Sequence, residues 1–462
     1  MKILILFYNM NLLERLDNGP IICAEGYLFA MERRGYLSAG AFVPEVVIEH
    51  PEVVTQLHRE FIRAGTDVVQ AFTYYGHREK LRIIGKEHLL EQLQKDALQI
   101  AKDAANEFKE LDLMVCGDVA NTNVYDPDDS STIKQCQKMY EEQVLWAKEA
   151  GVDFVVAETI NWVGEMKIAL EAIKRENMIA VTNFAIPRGD LTREGYTPAE
   201  ACKMMEDIGA DVVGLNCYRG PKMTMKFLDD IRKNVSCHVA ALPVPYRTTE
   251  EEPGFLNISD QDCDCIPGDN AFPVALDNLY CNRFEMGEFA KECSEKNINF
   301  IGICCGAEAH HVRQMSMAIG KEPISMKYVP DMSKHFHHGS DKTLRDINKN
   351  KPIWVLTGFS TLEELKEIKR FELTPIIHNK KQIMLIDSIG YSLNVVIEID
   401  TGMGRLGFDF TEFVENLRLL EKKCNISAIM SHFSSADYLN SSKTKEQIKK
   451  FGDEAEVTEV GQ

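Results

Sequence analysis

ADVVGLNCYRGP (210–221) and NFIGICCGAEAHH (299–311) follow one pattern: a short apolar run, then cysteine, then glycine. An apolar run of this length without polar alternation reads as a strand buried on both faces, the condition of a parallel sheet. The same kind of run recurs upstream as PIICAEG (20–26), TDVVQAFTYY (66–75), LDLMVCGDVA (111–120), VDFVVAET (152–159), MIAVTNFAI (178–186) and CHVAALPV (237–244). Between most of them lie stretches with apolar residues at spacings of three and four, such as PEVVTQLHREFIRAG (51–65) and CQKMYEEQVLWAKEAG (136–151). Gly65, Gly151 and Gly209 stop three of these helices. Eight strands alternating with helices over roughly 300 residues predict an α/β fold, a closed (β/α)8 TIM barrel.

Chemistry in such a barrel sits at the C-terminal ends of the strands. Those ends carry Glu25, Tyr74 and Tyr75, Asp118 and Asn121, Glu158, Asn183, Asn216 and Cys217, and finally Cys304 and Cys305. A single cysteine is ordinarily a small buried hydrophobe. Adjacent cysteines at a strand end are harder to explain that way, and neighbouring side chains are expected to point apart rather than bond. Cys217, Cys304 and Cys305 together predict a zinc site of three thiolates with its fourth position open, where a substrate thiol can bind and lose its proton. Cys263–Asp264–Cys265 is a competing metal candidate that reads as surface thiols.

Glu25 and Glu158 are costly to bury unless paired. They could hold a substrate ammonium or form structural ion pairs with a neighbouring Lys or Arg. Phe42, Tyr74 and Tyr75 read as core or as a cage for a methylated cation. His310 and His311 read as part of a solvated helix, and HFHH (335–338) as polar linker. The irregular stretch 246–292 is expected to cover the top of the barrel.

The 462 residues carry a net charge of −19, which argues against nucleic acid or an anionic membrane as partner. Thirteen cysteines, an odd number at irregular spacing, fit a reducing compartment and a cytoplasmic location. MKILILFYNMN runs on without a small-residue cleavage site, and no run of eighteen apolar residues exists to span a membrane. The expected organisation is a barrel over 1–327, a polar linker over 328–350, a second, partial α/β module over 351–452 and a disordered acidic tail over 453–462.

Residues 11–325 resemble the homocysteine S-methyltransferase family, and within it the betaine-dependent branch. The resemblance is carried by GYLFAMERRGYLSAG (26–40), PEVVTQLHREFIRAGTDVVQAFTYYGHREKL (51–81), VDFVVAET, GADVVGLNC and FIGICCG. It implies a zinc-dependent barrel that methylates homocysteine from a cationic methyl donor, betaine or a related onium compound, giving methionine. Cys217, Cys304 and Cys305 then fall on the zinc ligands, and Glu158 on the carboxylate for the homocysteine amino group. Tyr75 falls beside the donor and metal, and Phe42 in the donor pocket where Trp is usual. The first strand ends Cys23–Ala24–Glu25–Gly26 in place of the family's Asp–Gly–Gly turn, with Glu25 as the available acid, and Thr159 stands where the betaine branch has Tyr. A homo-oligomer is compatible with this reading, although the branch's long C-terminal arm is not recognisable.

The second module resembles part of the alanine racemase barrel through IDTGMGRLGF (399–408) and MSHFSSAD (430–437). Arg405 and His432 match positions that help hold pyridoxal phosphate there. The strand bearing the Schiff-base lysine is missing, so the module reads as non-catalytic. The alternatives to a methyltransferase are a non-catalytic zinc-binding barrel and, last, a pyridoxal-phosphate racemase.

Overall fold

Eight parallel strands close into a barrel in sequence order: β1 (Ile21–Ala24), β2 (Val68–Gln70), β3 (Met114–Ala120), β4 (Phe154–Ile160), β5 (Ile179–Phe184), β6 (Val212–Asn216), β7 (His238–Leu242) and β8 (Phe300–Ile303). The computed structural model describes residues 10–24, 26–187, 189–259, 271–332, 335, 352–435 and 442–459, with side chains to 452. The chain divides after Val329 into two compact units. All eight expected strands are present, and β8 pairs back onto β1 with Ile21 opposite Phe300 and Ala24 opposite Ile303.

The period of two along each strand sorts side chains between two cores. One set packs outward against the helices, including Ile22, Val69, Val115, Val155, Val213, Val239 and Ile301. The other fills the barrel interior: Cys23, Val68, Cys116, Phe154, Val181, Val212, Leu242 and Phe300 among others. Leu12 and Leu16, from a short helix (Leu12–Asn18) capped by Asn11 and Glu14, join the interior set. Continuing the inward parity by one or two steps reaches Gln70, Asp118, Glu158, Asn183 and Asn216, all buried. The interior is therefore apolar until its C-terminal layer, where it becomes polar.

Small residues let the strands approach at two places. A Cβ on Gly214 would lie 2.0 Å from the Ala240 carbonyl oxygen, and one on Gly302 would lie 2.1 Å from that of Cys23.

The second unit holds four parallel strands, β9 (Trp354–Val355), β10 (Thr374–Ile377), β11 (Leu393–Glu398) and β12 (Cys424–Met430), in the order β12-β11-β10-β9. Helices Leu362–Arg370, Lys380–Asp387 and Phe410–Lys423 alternate with them, and Leu365, Ile383 and Phe413 pack with Val395 and Ile397 in one core. The acidic tail differs from expectation: helix Ser442–Glu459 runs through its first seven residues. Extending a helix already nucleated upstream costs far less than starting one, so a charged segment that would not fold alone continues it. Most of the expected linker, including all of HFHH except His335, lies outside the described residues.

Replacing Gly302 by Ala is expected to destabilise the barrel by about 1–3 kcal/mol, because the opposing atom is backbone and cannot step aside. Urea unfolding monitored by circular dichroism reads this directly; an unchanged midpoint would contradict the packing described.

Candidate metal centre and its two pockets

Cys217 follows the last residue of β6, and Cys304 and Cys305 follow the last of β8. Backbone hydrogen bonding continues past the strand ends: Cys217 N–H donates to the Leu242 carbonyl and Cys304 N–H to that of Pro243, each at 2.9 Å. The chain ends around β7 thus clamp both cysteine segments at one height. The sulfurs converge. Cys305 Sγ lies 3.8 Å from Cys217 Sγ and 3.8 Å from Cys304 Sγ, and all three lie within 4.8 Å of one another. Adjacent side chains were expected to diverge; they do not, because β8 stops at Ile303 and strand alternation stops with it.

The donor set fits zinc. Four ligands at about 2.3 Å in a tetrahedron place sulfurs about 3.8 Å apart, the separation seen here. The three cysteines are 4–8% exposed, as a dry site requires. Without a cation the three thiols must share protons. Cys217 is drawn well below the usual thiol range by hydrogen bonds from Cys304 and then Cys305. Cys304 is pushed up by burial first, and Cys305 by its bond to Cys217. Among the described residues this is the cluster with metal-ligand geometry. Cys263 and Cys265 lie outside them.

Two pockets meet at the sulfurs. One is lined by Gly26, Tyr27, Gln70, Glu158, Cys304 and Cys305. Glu158, 2% exposed, accepts from Gln70 Nε2 at 2.8 Å and Asn216 Nδ2 at 2.5 Å. Asn216 also accepts from the Thr159 N–H at 2.8 Å, and its Nδ2 lies 3.8 Å from Cys304 Sγ. One amide thereby links the carboxylate to the sulfur cluster. Glu25 lies outside the described residues.

The second pocket is lined by aromatic rings, Phe42, Tyr75, Tyr218 and Phe255 among them, and by Cys217 and Cys305. The stretch after β7 covers it as expected: Phe255 N–H donates to the Tyr218 carbonyl at 2.8 Å, and its ring stacks on Tyr246 at 5.6 Å. Phe42, Tyr75, Thr159, Cys217 and Tyr218 all adopt left-handed backbone angles, φ 52–59°. That conformation is uncommon outside glycine and unusual for a β-branched or bulky residue.

Sequence reasoning had no place for Gln70, which sits inside an unbroken apolar run; only strand parity shows that it faces Glu158. His311 is not solvated but fully buried, its Nε2 2.9 Å from the Cys281 carbonyl and its ring against Tyr280. Burial holds it neutral, its pKa lowered to about 3. The residue faces the core side of its helix, which a ten-residue helix starting next to a strand-end turn gave little room to foresee. In the second unit, Arg405 is exposed and His432 Nδ1 lies 2.8 Å from Glu398 Oε1.

Comparison with known proteins gives two family matches. Residues 27–319 match the homocysteine S-methyltransferase model, and residues 281–460 match that of the alanine racemase N-terminal domain. The betaine–homocysteine S-methyltransferase 1 of Xenopus tropicalis is 33% identical over 341 residues, covering 71% of this chain and 80% of that protein. An S-methylmethionine–homocysteine S-methyltransferase of Pongo abelii is 30% identical over 353 residues, covering 74% and 89%. The metallated form of an Escherichia coli homocysteine methyltransferase superposes with a TM-score of 0.51 at 16% identity, covering 66% of this chain and 98% of that one, a likeness of fold. The cluster of Cys217, Cys304 and Cys305 is typical of the zinc site in homocysteine methyltransferases.

Replacing Cys304 by Ala is expected to leave at most about a tenth of the zinc bound by the unaltered chain, measured by atomic absorption after dialysis. Full zinc retention would mean that the ligands lie elsewhere.

Proposed function

The chain belongs to the homocysteine S-methyltransferase family, and on that footing we propose that its barrel moves a methyl group from a cationic onium donor to the sulfur of homocysteine. The observation that carries the reading is the junction of two unlike pockets at the three sulfurs. One presents a buried carboxylate, and the other presents aromatic rings with no charged side chain among its described lining residues. A zinc ion held by Cys217, Cys304 and Cys305 would supply a position at which a thiol is held deprotonated at neutral pH.

Glu158 receives the substrate's ammonium, and Gln70 and Asn216 fix the direction of that carboxylate. This places the amino acid's thiol end toward the cysteines, since the same pocket is lined by Cys304 and Cys305. Phe42 and Tyr75 face the methylated cation, whose charge is attracted to the ring faces. The sulfur's electron pair forms the new S–CH3 bond while the bond from methyl to nitrogen or sulfur breaks, and its electron pair leaves with the neutral donor residue. Opposite charges vanish in this step, so a site that excludes water favours it over the solvated reactants.

Two relatives at similar identity are named for betaine and for S-methylmethionine. The aromatic pocket suits the onium head of either. We read the activity as belonging to the first unit, in the reducing cytoplasm, and residues 350–462 as dispensable for it; the family match ends at residue 319, before the second unit begins.

Purified, zinc-loaded protein is expected to form methionine from homocysteine with at least one of betaine, a dimethylsulfonium compound and S-methylmethionine, followed by mass spectrometry. Glu158→Gln should raise the homocysteine KM about 10- to 100-fold, the loss of a charged hydrogen bond, with a smaller effect on kcat. No product from any donor, with zinc bound, would defeat the reading. A chain ending at residue 345 should keep kcat/KM within about threefold; a folded, zinc-loaded but inactive truncation would show that the second unit takes part.

A further inference from the structure

Beside Glu158 the barrel holds another buried carboxyl. Asp118 projects inward from β3, is 3% exposed, and stands opposite Val156 on the neighbouring strand β4, one inward step before Glu158. Neither Asp118 oxygen meets an N–H donor or a hydroxyl among the described residues. Glu158 meets two N–H donors, from Gln70 and Asn216.

Two neighbouring carboxyl groups out of water do not both ionise. The proton goes where the anion is least supported. Among the described residues, the amides of Gln70 and Asn216 stabilise Glu158 as the anion, and no donor stabilises Asp118. The neutral form of Asp118 also satisfies both groups at once, because its O–H is the donor its neighbour can accept. Burial, and then the charge of Glu158, lift Asp118 well above the usual carboxylate range.

We propose that Asp118 is a positioning residue for homocysteine, a neutral carboxylic acid whose O–H donates to the Glu158 carboxylate and fixes it for the substrate's ammonium. Three donors then converge on Glu158 from Gln70, Asn216 and Asp118. They leave it one negative charge, aimed into the pocket it lines with Cys304 and Cys305. A single anion matches a single ammonium, whereas two ionised carboxylates would leave an uncompensated charge beside three thiolates. This inference rests on the reading of Glu158 as the ammonium acceptor.

The test uses the full-length, zinc-loaded protein and measures homocysteine affinity by calorimetry alongside KM and kcat. Asp118→Ala removes the donor and is expected to weaken homocysteine about tenfold or more, with kcat less affected. Asp118→Asn keeps a neutral N–H donor of the same shape and is expected to hold affinity within about threefold of the unaltered protein. If D118A binds as well as the unaltered chain, or D118N is as weak as D118A, the proposal is overturned, the second result marking Asp118 as an ionised group. Glu158→Gln separates the two readings: unchanged affinity there removes the role of Glu158 itself, while a large loss there with none in D118A removes only that of Asp118. Should D118A fail to fold, the infrared carbonyl band of a protonated carboxyl decides. Its presence in the unaltered protein and loss in D118N support the proposal; its absence from the unaltered protein overturns it.

Discussion

Three sulfurs within 4.8 Å of one another in a dry site repel one another as anions, and much of the barrel's upper face is arranged to hold them there nonetheless. Cys217 and the pair Cys304–Cys305 come from strands that are not neighbours, so β7 between them sets the spacing. Its carbonyl at Leu242 and that of the following Pro243 each take an N–H from a cysteine. Gly214 lets β6 come close to β7, and Gly302 lets β8 close against β1. The segment after β7 then closes over the sulfurs with Tyr246 and Phe255, keeping water from them. A divalent cation turns the mutual repulsion into cohesion, which is the physical sense in which the site and its metal require each other.

Much of this was legible in the chain itself. Each strand of the barrel is apolar on both faces, so the runs stand out without alternation, and the cysteines stand out because they end two of those runs. The same double burial hides parity, which is why Gln70 passed unnoticed inside TDVVQAFTYY although it bonds Glu158. The convergence of Cys304 and Cys305 depends on where β8 ends, a matter of one residue that periodicity does not resolve. His311 and the acidic tail were misread for a related reason. A solvated appearance and a charged composition describe side chains, while burial and helix continuation are decided by neighbours.

In the second unit the side chains of a recognisable pattern are engaged locally. Its four parallel strands and the match to the alanine racemase N-terminal domain agree. Yet His432 is engaged by Glu398, a buried carboxylate at the end of the neighbouring strand, and Arg405 faces solvent. Glu398 Oε1 and His432 Nδ1 thus engage each other. The Asp400 side chain is likewise occupied, accepting from the backbone N–H groups of Gly402, Met403 and Gly404. The IDTGMGR motif here folds its own turn.

The five left-handed residues around the aromatic pocket place a limit on how this barrel can evolve. A non-glycine residue held there costs about 1–2 kcal/mol, so five together cost roughly as much as the net stability of a small domain. Glycine would relieve the backbone at each position but would delete the ring, the hydroxyl or the sulfur that faces the site. The relief is therefore closed to drift, and the deficit has to be met by the apolar interior far below. Substitutions in that interior, remote from any substrate, are consequently less free to accumulate here than in a barrel whose mouth is relaxed.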